Sequence, residues 1–238
     1  MTLWIACGPT GQGVRAFAMT ADRIVAEGQG PDEATALQDM PDAPFVRIGD
    51  GPASRLPASV LPETGKSLPV WDQDSPPDII GAWVRLWIAG FLAARPNWDG
   101  VICASQADVT HWIHLSANEA VSSQSLLTPR LVAALDGAPT ADAKALSETL
   151  SRPERLAAHL RAAEVAGRPK AITGHLLGAE LAATRPYWLG QEVAVIADNP
   201  EPHVASLSDQ GVPVTAHDPE TLLRPGLVAL GRALRLSD

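Results

Sequence analysis

The sequence predicts a mixed α/β protein, built as one large domain or two small ones, and three observations carry that prediction. The N-terminus reads as short apolar runs at residues 3–7, 14–19 and 24–26, broken by turn residues. That is the pattern of a β-meander. The C-terminal part alternates between a strand at 192–197, a helix at 201–209, a strand at 213–215 and a helix at 219–235. Such alternation implies a parallel strand pair joined by right-handed crossovers. Finally, 238 residues with 46% hydrophobic and 19% charged content suffice to bury a core without disulfide staples.

The elements between these ends follow in order. Residues 32–40 read as a short helix with Pro31 at its start. Residues 41–78 are dense in proline and glycine and carry no helical period. Within them 45–48 reads as a strand and the remainder as loop, a boundary or covering segment. From 78 to 94 the residues Ile80, Val84, Leu86, Trp87, Phe91 and Leu92 recur at mixed spacings of three and four. This is a helix buried on most sides, and Arg95-Pro96 stops it. A buried strand at 101–104 is followed by strands at 110–115 and 119–126, then by a helix at 129–135 opened by Pro129. Further helices are expected at 143–150, 153–166 and 172–184. No repeat of fixed period appears. The division this suggests is an N-terminal lobe, 1–78, and a C-terminal α/β lobe, 79–238.

Charge and cysteine usage narrow the class. Lys+Arg 18 against Asp+Glu 27 gives a net charge of −9, and no window concentrates basic residues. Neither nucleic acid nor an anionic membrane is attracted to such a surface. The apolar stretch at 79–94 is broken by Arg85 and too short to span a bilayer. No basic segment precedes an apolar one at the N-terminus, so a cytoplasmic protein is expected. Cys7 and Cys103 lie in apolar runs and read as buried free thiols in a reducing compartment.

Four groups of residues invite chemistry. Thr10-Gly11-Gln12-Gly13 sits between two expected strands, where glycine turns offer backbone N–H groups to a phosphate. It lacks the Lys-Ser/Thr ending of a Walker loop, and a strand rather than a helix follows it. The plain alternative is a hairpin turn. Ser105-Gln106-Ala107-Asp108 follows a buried strand, at the end where α/β proteins collect ligands. His111 and His114 are three apart, which on a strand sends them to opposite faces, so they do not form a metal pair. Seven Trp against one Tyr and three Phe read first as core packing and, more sharply, as a sugar-stacking face.

A more specific resemblance rests on particular segments. Gly174-His175-Leu176-Leu177-Gly178-Ala179-Glu180 is similar to the G-L-L-I-G-A-E helix of the 2-keto-3-deoxygalactonate kinase (2-dehydro-3-deoxygalactonokinase) family. Pro225-Gly226-Leu227 falls where that family has A-G-L/I, and Trp112 resembles the tryptophan of its P-G-T-H-x-K-W segment. Residues 5–17 align without gaps on its I-x-x-D-W-G-T-T-N-x-R-A-W/F phosphate hairpin. The resemblance covers most of the chain. It implies a two-lobed actin-like (ribonuclease H-like) ATPase fold in trimmed form, with ATP and Mg as cofactors and a small sugar acid as substrate. It also leaves room for a homodimer.

Residue by residue, the resemblance implies that Thr10, Gly11, Gln12, Gly13 and Arg15 hold phosphate and that Asp198 and Asn199 border the adenosine. Thr110 and His111 would meet the sugar acid, and Asp108 would be the catalytic and metal-holding carboxylate. The chain departs from the family at several of these points. The hairpin aspartate falls on Gly8, the histidine and lysine of the second segment on Val109 and His111, and the T-G-E-L glutamate on Arg130. Two readings follow. The chain phosphorylates a 2-keto-3-deoxy sugar acid with rearranged ligands, or it is a pseudokinase that binds a ligand or a protein without turnover.

Overall fold

The computed structural model describes residues 3–236. In chain order the elements are β1 (Trp4–Thr10), β2 (Gly13–Thr20), β3 (Arg23–Gly30), α1 (Glu33–Leu37), β4 (Phe45–Ile48), β5 (Ser54–Arg55), β6 (Ala58–Ser59), β7 (Ser67–Leu68), β8 (Trp71–Asp74), β9 (Pro77–Ile80), α2 (Ala82–Ala94), β10 (Gly100–Gln106), β11 (Val109–Ser116) and β12 (Glu119–Leu126). Then come α3 (Thr128–Ala134), α4 (Ala143–Ser151), α5 (Leu156–Val165), α6 (Pro169–Ala183), α7 (Arg185–Trp188), β13 (Val193–Ile196), α8 (Glu201–Asp209), β14 (Val214–His217) and α9 (Pro219–Ala233). A single 3₁₀ turn, Pro153–Arg155, precedes α5.

Two compact units result. The first comprises 1–98, 116–122 and 219–238, and the second 99–115 and 123–218. A cut after residue 78 therefore does not describe the division. The reason is packing: α2 and the C-terminal α9 are both built into the first unit. Its five-stranded sheet has the order β3-β2-β1-β4-β7. β1, β2 and β3 are antiparallel, as the meander pattern predicts, and β4 runs parallel to β1. On one face Ile5, Cys7, Ala16 and Ala18 pack with Ala36 of α1. On the other, Trp4, Ala6, Phe17 and Met19 pack with Leu86 of α2 and Leu223, Leu227 and Leu230 of α9. This two-faced alternation is the period of a sheet covered on both sides. Helices α2 and α9 cross at glycines. A Cβ on Gly90 would lie 2.0 Å from the Leu222 carbonyl oxygen, and one on Gly226 would lie 2.1 Å from that of Leu86.

The proline-dense segment is more organised than its composition suggests, carrying β5 to β9. Its organiser is Arg85, only 1% exposed on α2. The guanidinium donates to the carbonyl oxygens of Val60 (3.1 Å), Pro69 (2.6 Å) and Ser59 (3.2 Å), and to the Ser54 hydroxyl (3.3 Å). It also stacks over the Trp71 ring at 4.8 Å. Burial pushes its pKa down to about 10. Proline removes N–H groups and interrupts ladders, so carbonyls left without strand partners are satisfied by a planar multi-donor side chain instead.

In the second unit β14, β13 and β10 are parallel, and β11 turns back antiparallel to β10 and is followed by β12. The turn between β11 and β12 lies in the first unit, where Glu119 and Ala120 pair with Ser59 and Ala58. The second unit's core joins Val101, Cys103, Trp112, Val193 and Val195 of the sheet to Leu177 and Leu181 of α6. The two glycines of the 174–180 helix segment have a steric role. A Cβ at Gly174 or Gly178 would come within 2.4 Å of the Asp142 or Leu146 carbonyl oxygen, so they let α6 lie directly against α4.

Candidate functional site

The first-unit hairpin is a tight turn. Gly11 and Gln12 link β1 to β2, and Gly13 adopts φ 128°. The Thr10 hydroxyl donates to the Gly13 carbonyl oxygen (3.2 Å) and accepts from the Gln12 N–H (3.3 Å), so it is spent within the turn. Arg15 makes a two-pronged ion pair with Glu220, at 2.6 and 3.1 Å, and lies over the Phe17 ring at 4.8 Å. Gly8 is closed to any side chain: a Cβ there would sit 2.2 Å from the Ile48 carbonyl oxygen of neighbouring β4. Trp83 donates its indole N–H to the Pro9 carbonyl oxygen at 2.6 Å and stands edge-on to Phe17. It is a core residue and not a sugar-stacking surface.

In the second unit a cavity of about 470 Å³ opens at the carboxyl ends of β10 and β13, where ligands collect in α/β sheets. Pro129 and Val132 of α3 and Leu177 of α6 give it apolar walls. Ser105, Thr128, Thr173, Asp198, Asn199 and His203 supply its polar groups, and no lysine or arginine among the described residues lines it. The Asn199 side chain donates to the Pro139 carbonyl oxygen (3.0 Å), and the Thr173 hydroxyl to that of Ala138 (2.7 Å). These bonds brace the α3–α4 loop that forms one wall.

The other expected site residues fall elsewhere. Asp108 is 62% exposed in the β10–β11 turn and pairs with the Arg130 Nε at 3.3 Å. Its neighbour Ala107 reaches the cavity wall but Asp108 does not. Thr110 and His111 are buried strand residues, with the Thr110 hydroxyl 3.4 Å from that of Ser105 and the His111 Nδ1 2.6 Å from the Ser125 hydroxyl. Neither lines the cavity. Of the expected site residues in this unit, Asp198 and Asn199 are cavity residues, as are Ser105 and Ala107 of the strand-end group.

Beneath the cavity lies a group that sequence reading missed. Glu180 of α6 is 1% exposed. Its Oε1 accepts from the Trp112 indole N–H (3.0 Å) and from the His203 Nε2 (2.8 Å). Its Oε2 is buried without a hydrogen bond of ordinary geometry. Burial alone would raise the carboxyl pKa. The attraction of His203 and the donors His203, Thr128 and Trp112 outweigh that and hold it below the usual range. Cys103 stands opposite Trp112 in the β10–β11 register, its thiol pushed well above the ordinary value by burial and then by the Glu180 charge. The available signal was Glu180 itself, a carboxylate on the apolar face of an otherwise uncharged helical stretch.

No protein-family profile matches the sequence, and no curated protein matches it. Solved structures do. A Sinorhizobium meliloti protein carrying the provisional name 2-dehydro-3-deoxygalactonokinase matches with TM-score 0.80 and 18% identity, over 97% of this chain and 98% of that one. The activator of 2-hydroxyisocaproyl-CoA dehydratase from Clostridium difficile, solved with bound ADPNP, matches with TM-score 0.51 and 8% identity, over 98% and 96%. Component A of (R)-2-hydroxyglutaryl-CoA dehydratase from Acidaminococcus fermentans gives TM-score 0.51 and 9%, over 97% and 96%. The fold is thus the actin-like ATPase fold that these three structures share. Among these three structures the likeness is greatest to the Sinorhizobium meliloti protein, and the fold implied by the sequence resemblance is the fold observed. Among the described residues no helix is long and apolar enough to cross a membrane.

The sequence resemblance implies ATP and Mg as cofactors, and one of the matched structures was solved with bound ADPNP. The triphosphate and its metal do not fit the hairpin, because Gly8 excludes a carboxylate and Arg15 is already neutralised by Glu220. Phosphoryl transfer depends on positioned charge, and the hairpin offers little of it.

Proposed function

We propose that this protein is a pseudokinase on the 2-dehydro-3-deoxygalactonokinase scaffold, which binds a small molecule without transferring phosphate at a kinase rate. The observation that carries this reading is the steric closure of Gly8 by the Ile48 carbonyl oxygen. The position that holds the phosphate-hairpin aspartate in the resembled family has no room here for any side chain. The ligand we infer for the second-unit cavity is an uncharged heterocycle such as adenosine, held between apolar walls with Asp198 and His203 as polar contacts. The nominal reaction, ATP-dependent phosphorylation of a 2-keto-3-deoxy sugar acid, is the second reading. The backbone likeness to the Sinorhizobium meliloti protein favours it. In that reading Thr10, Gly11, Gln12 and Gly13 would hold phosphate by backbone N–H groups, and Asp108 would carry Mg. We place such a protein in the cytoplasm.

Calorimetry with adenosine, Mg-ATP and 2-keto-3-deoxygalactonate, run beside a product assay, separates the two. The pseudokinase reading expects saturable adenosine binding, no tightening by the Mg-triphosphate, and no phosphorylated sugar acid. Formation of phosphorylated product restores the kinase reading. No binding of any of the three ends both.

A further inference from the structure

Three metal-binding groups of different chemistry converge below the cavity. Cys103 comes from β10, Glu180 from α6 and His203 from α8, and one ligand atom of each lies within 4.8 Å of the others. All three are buried. We propose that they form a transition-metal site with zinc as the fitting ion, independent of what the cavity binds.

The donor set argues for this metal class. Zinc is held by thiolate sulfur, imidazole nitrogen and carboxylate oxygen. Soft thiolate combined with imidazole disfavours magnesium and calcium. A second observation points the same way. Glu180 Oε2 is fully buried and accepts no hydrogen bond of ordinary geometry, an expensive condition for a carboxylate oxygen unless something fills it. Its Oε1 is meanwhile fixed by the Trp112 indole. Outer hydrogen bonds of that kind orient metal-ligating carboxylates and leave the other oxygen for the metal.

Charge balance is also favourable. One thiolate and one carboxylate together neutralise a divalent ion. Uptake forms one Zn–S, one Zn–O and one Zn–N bond. It releases the thiol proton, and the Nε2 proton now given to Glu180 leaves or moves to Nδ1. Nothing is oxidised or reduced. His203 and Thr128 belong both to this cluster and to the wall of the 470 Å³ cavity, which supplies a path for the ion. A fourth, solvent-borne ligand arriving by the same path would give the open form of a zinc site.

The test uses the full chain, stripped with a chelator and titrated with Co²⁺ in an absorbance cell and with Zn²⁺ in a calorimeter. The expected result is one equivalent of each. The cobalt form should show a thiolate-to-metal charge-transfer band in the near ultraviolet. Cys103→Ser should abolish that band and Cys7→Ser should keep it. Glu180→Gln should weaken zinc binding by about tenfold or more. Circular dichroism reports whether each variant folds. If the variants do not fold, the wild-type chain decides alone: absence of both the cobalt band and saturable zinc binding shows a purely structural polar cluster and overturns the site. A band that survives Cys103→Ser and disappears in Cys7→Ser overturns it equally.

Discussion

Each compact unit buries one charged side chain to the same extent, Arg85 in the first and Glu180 in the second, both 1% exposed, and the two are accommodated in different ways. Arg85 donates to backbone carbonyls and one hydroxyl, and none of these four hydrogen bonds goes to a carboxylate. Its positive charge is spread over dipoles, and its geometry ties down a proline-dense stretch that cannot make full ladders. Glu180 is surrounded by side chains from β11, α3 and α8, and its Oε2 accepts no hydrogen bond of ordinary geometry. The contrast teaches how to separate structure from function. A buried charge whose hydrogen bonds go to backbone is a fastener. One held by other side chains, with capacity left over, is a place where something else can bind.

The largest expected effect tests the fastener. Arg85→Met removes four hydrogen bonds and strands buried carbonyls, which should cost about 3–5 kcal/mol. Chemical denaturation measures it. A loss under about 1 kcal/mol would mean the segment is held by packing alone. Glu180→Gln is the matched change in the second unit. It keeps an acceptor for Trp112 and His203, so the expected cost is smaller, about 1–3 kcal/mol. If it exceeds the Arg85 loss, the two centres have been assigned the wrong way round.

A further change addresses the hairpin. Gly8→Asp restores the carboxylate of the resembled family and should still give no ATPase activity. It should also lower stability by about 1–3 kcal/mol, since the new Cβ is driven against the Ile48 carbonyl. Gain of ATP hydrolysis would show that β4 can yield. Smaller still is a pH effect at the α4–α5–α6 junction. The Thr149 hydroxyl lies 2.8 Å from both the His159 and His175 Nδ1 atoms. Burial and then the neighbouring His159 lower the His175 pKa from 6.5, against the opposing pull of the Ala145 backbone, Glu148 and Asp142. The folded chain thus holds this proton more weakly than the unfolded chain. The stability involved is complete above about pH 6.5 and declines as pH falls toward the folded value. Thermal unfolding at about pH 7.5 and about pH 5.5 should show a decline that His175→Leu reduces. Last, Glu220→Gln breaks the exposed pair with Arg15 and should change stability by under about 1 kcal/mol. Sulfate or phosphate binding at the freed guanidinium would show that Arg15 is held in reserve.

Local pattern made much of this fold legible. β4 matches the expected strand at 45–48 and α8 the expected helix at 201–209, because apolar periodicity and proline starts are short-range signals. Asp198 and Asn199 came from the family resemblance, whereas the strand-end rule pointed to Ser105, and all three line the cavity. Arg85 read only as an interruption of an apolar run, since its partners at 54–69 lie in a segment without periodicity. The Trp112–Glu180 contact spans 68 positions and the His203–Glu180 contact 23, separations at which a single sequence carries no pairing information. The division at residue 78 failed for the same reason: α9 packs on strands laid down some two hundred positions earlier.

That return of α9 has a bearing on synthesis. Everything in the second unit is made before residue 219, whereas the first unit needs Leu223, Leu227 and Leu230 to close its core. On the ribosome the later-starting unit can therefore finish first, while β1 to β4 wait with an uncovered face. A chain stalled before α9 would expose that sheet face, and α9 acts as the seal on strands made well before it.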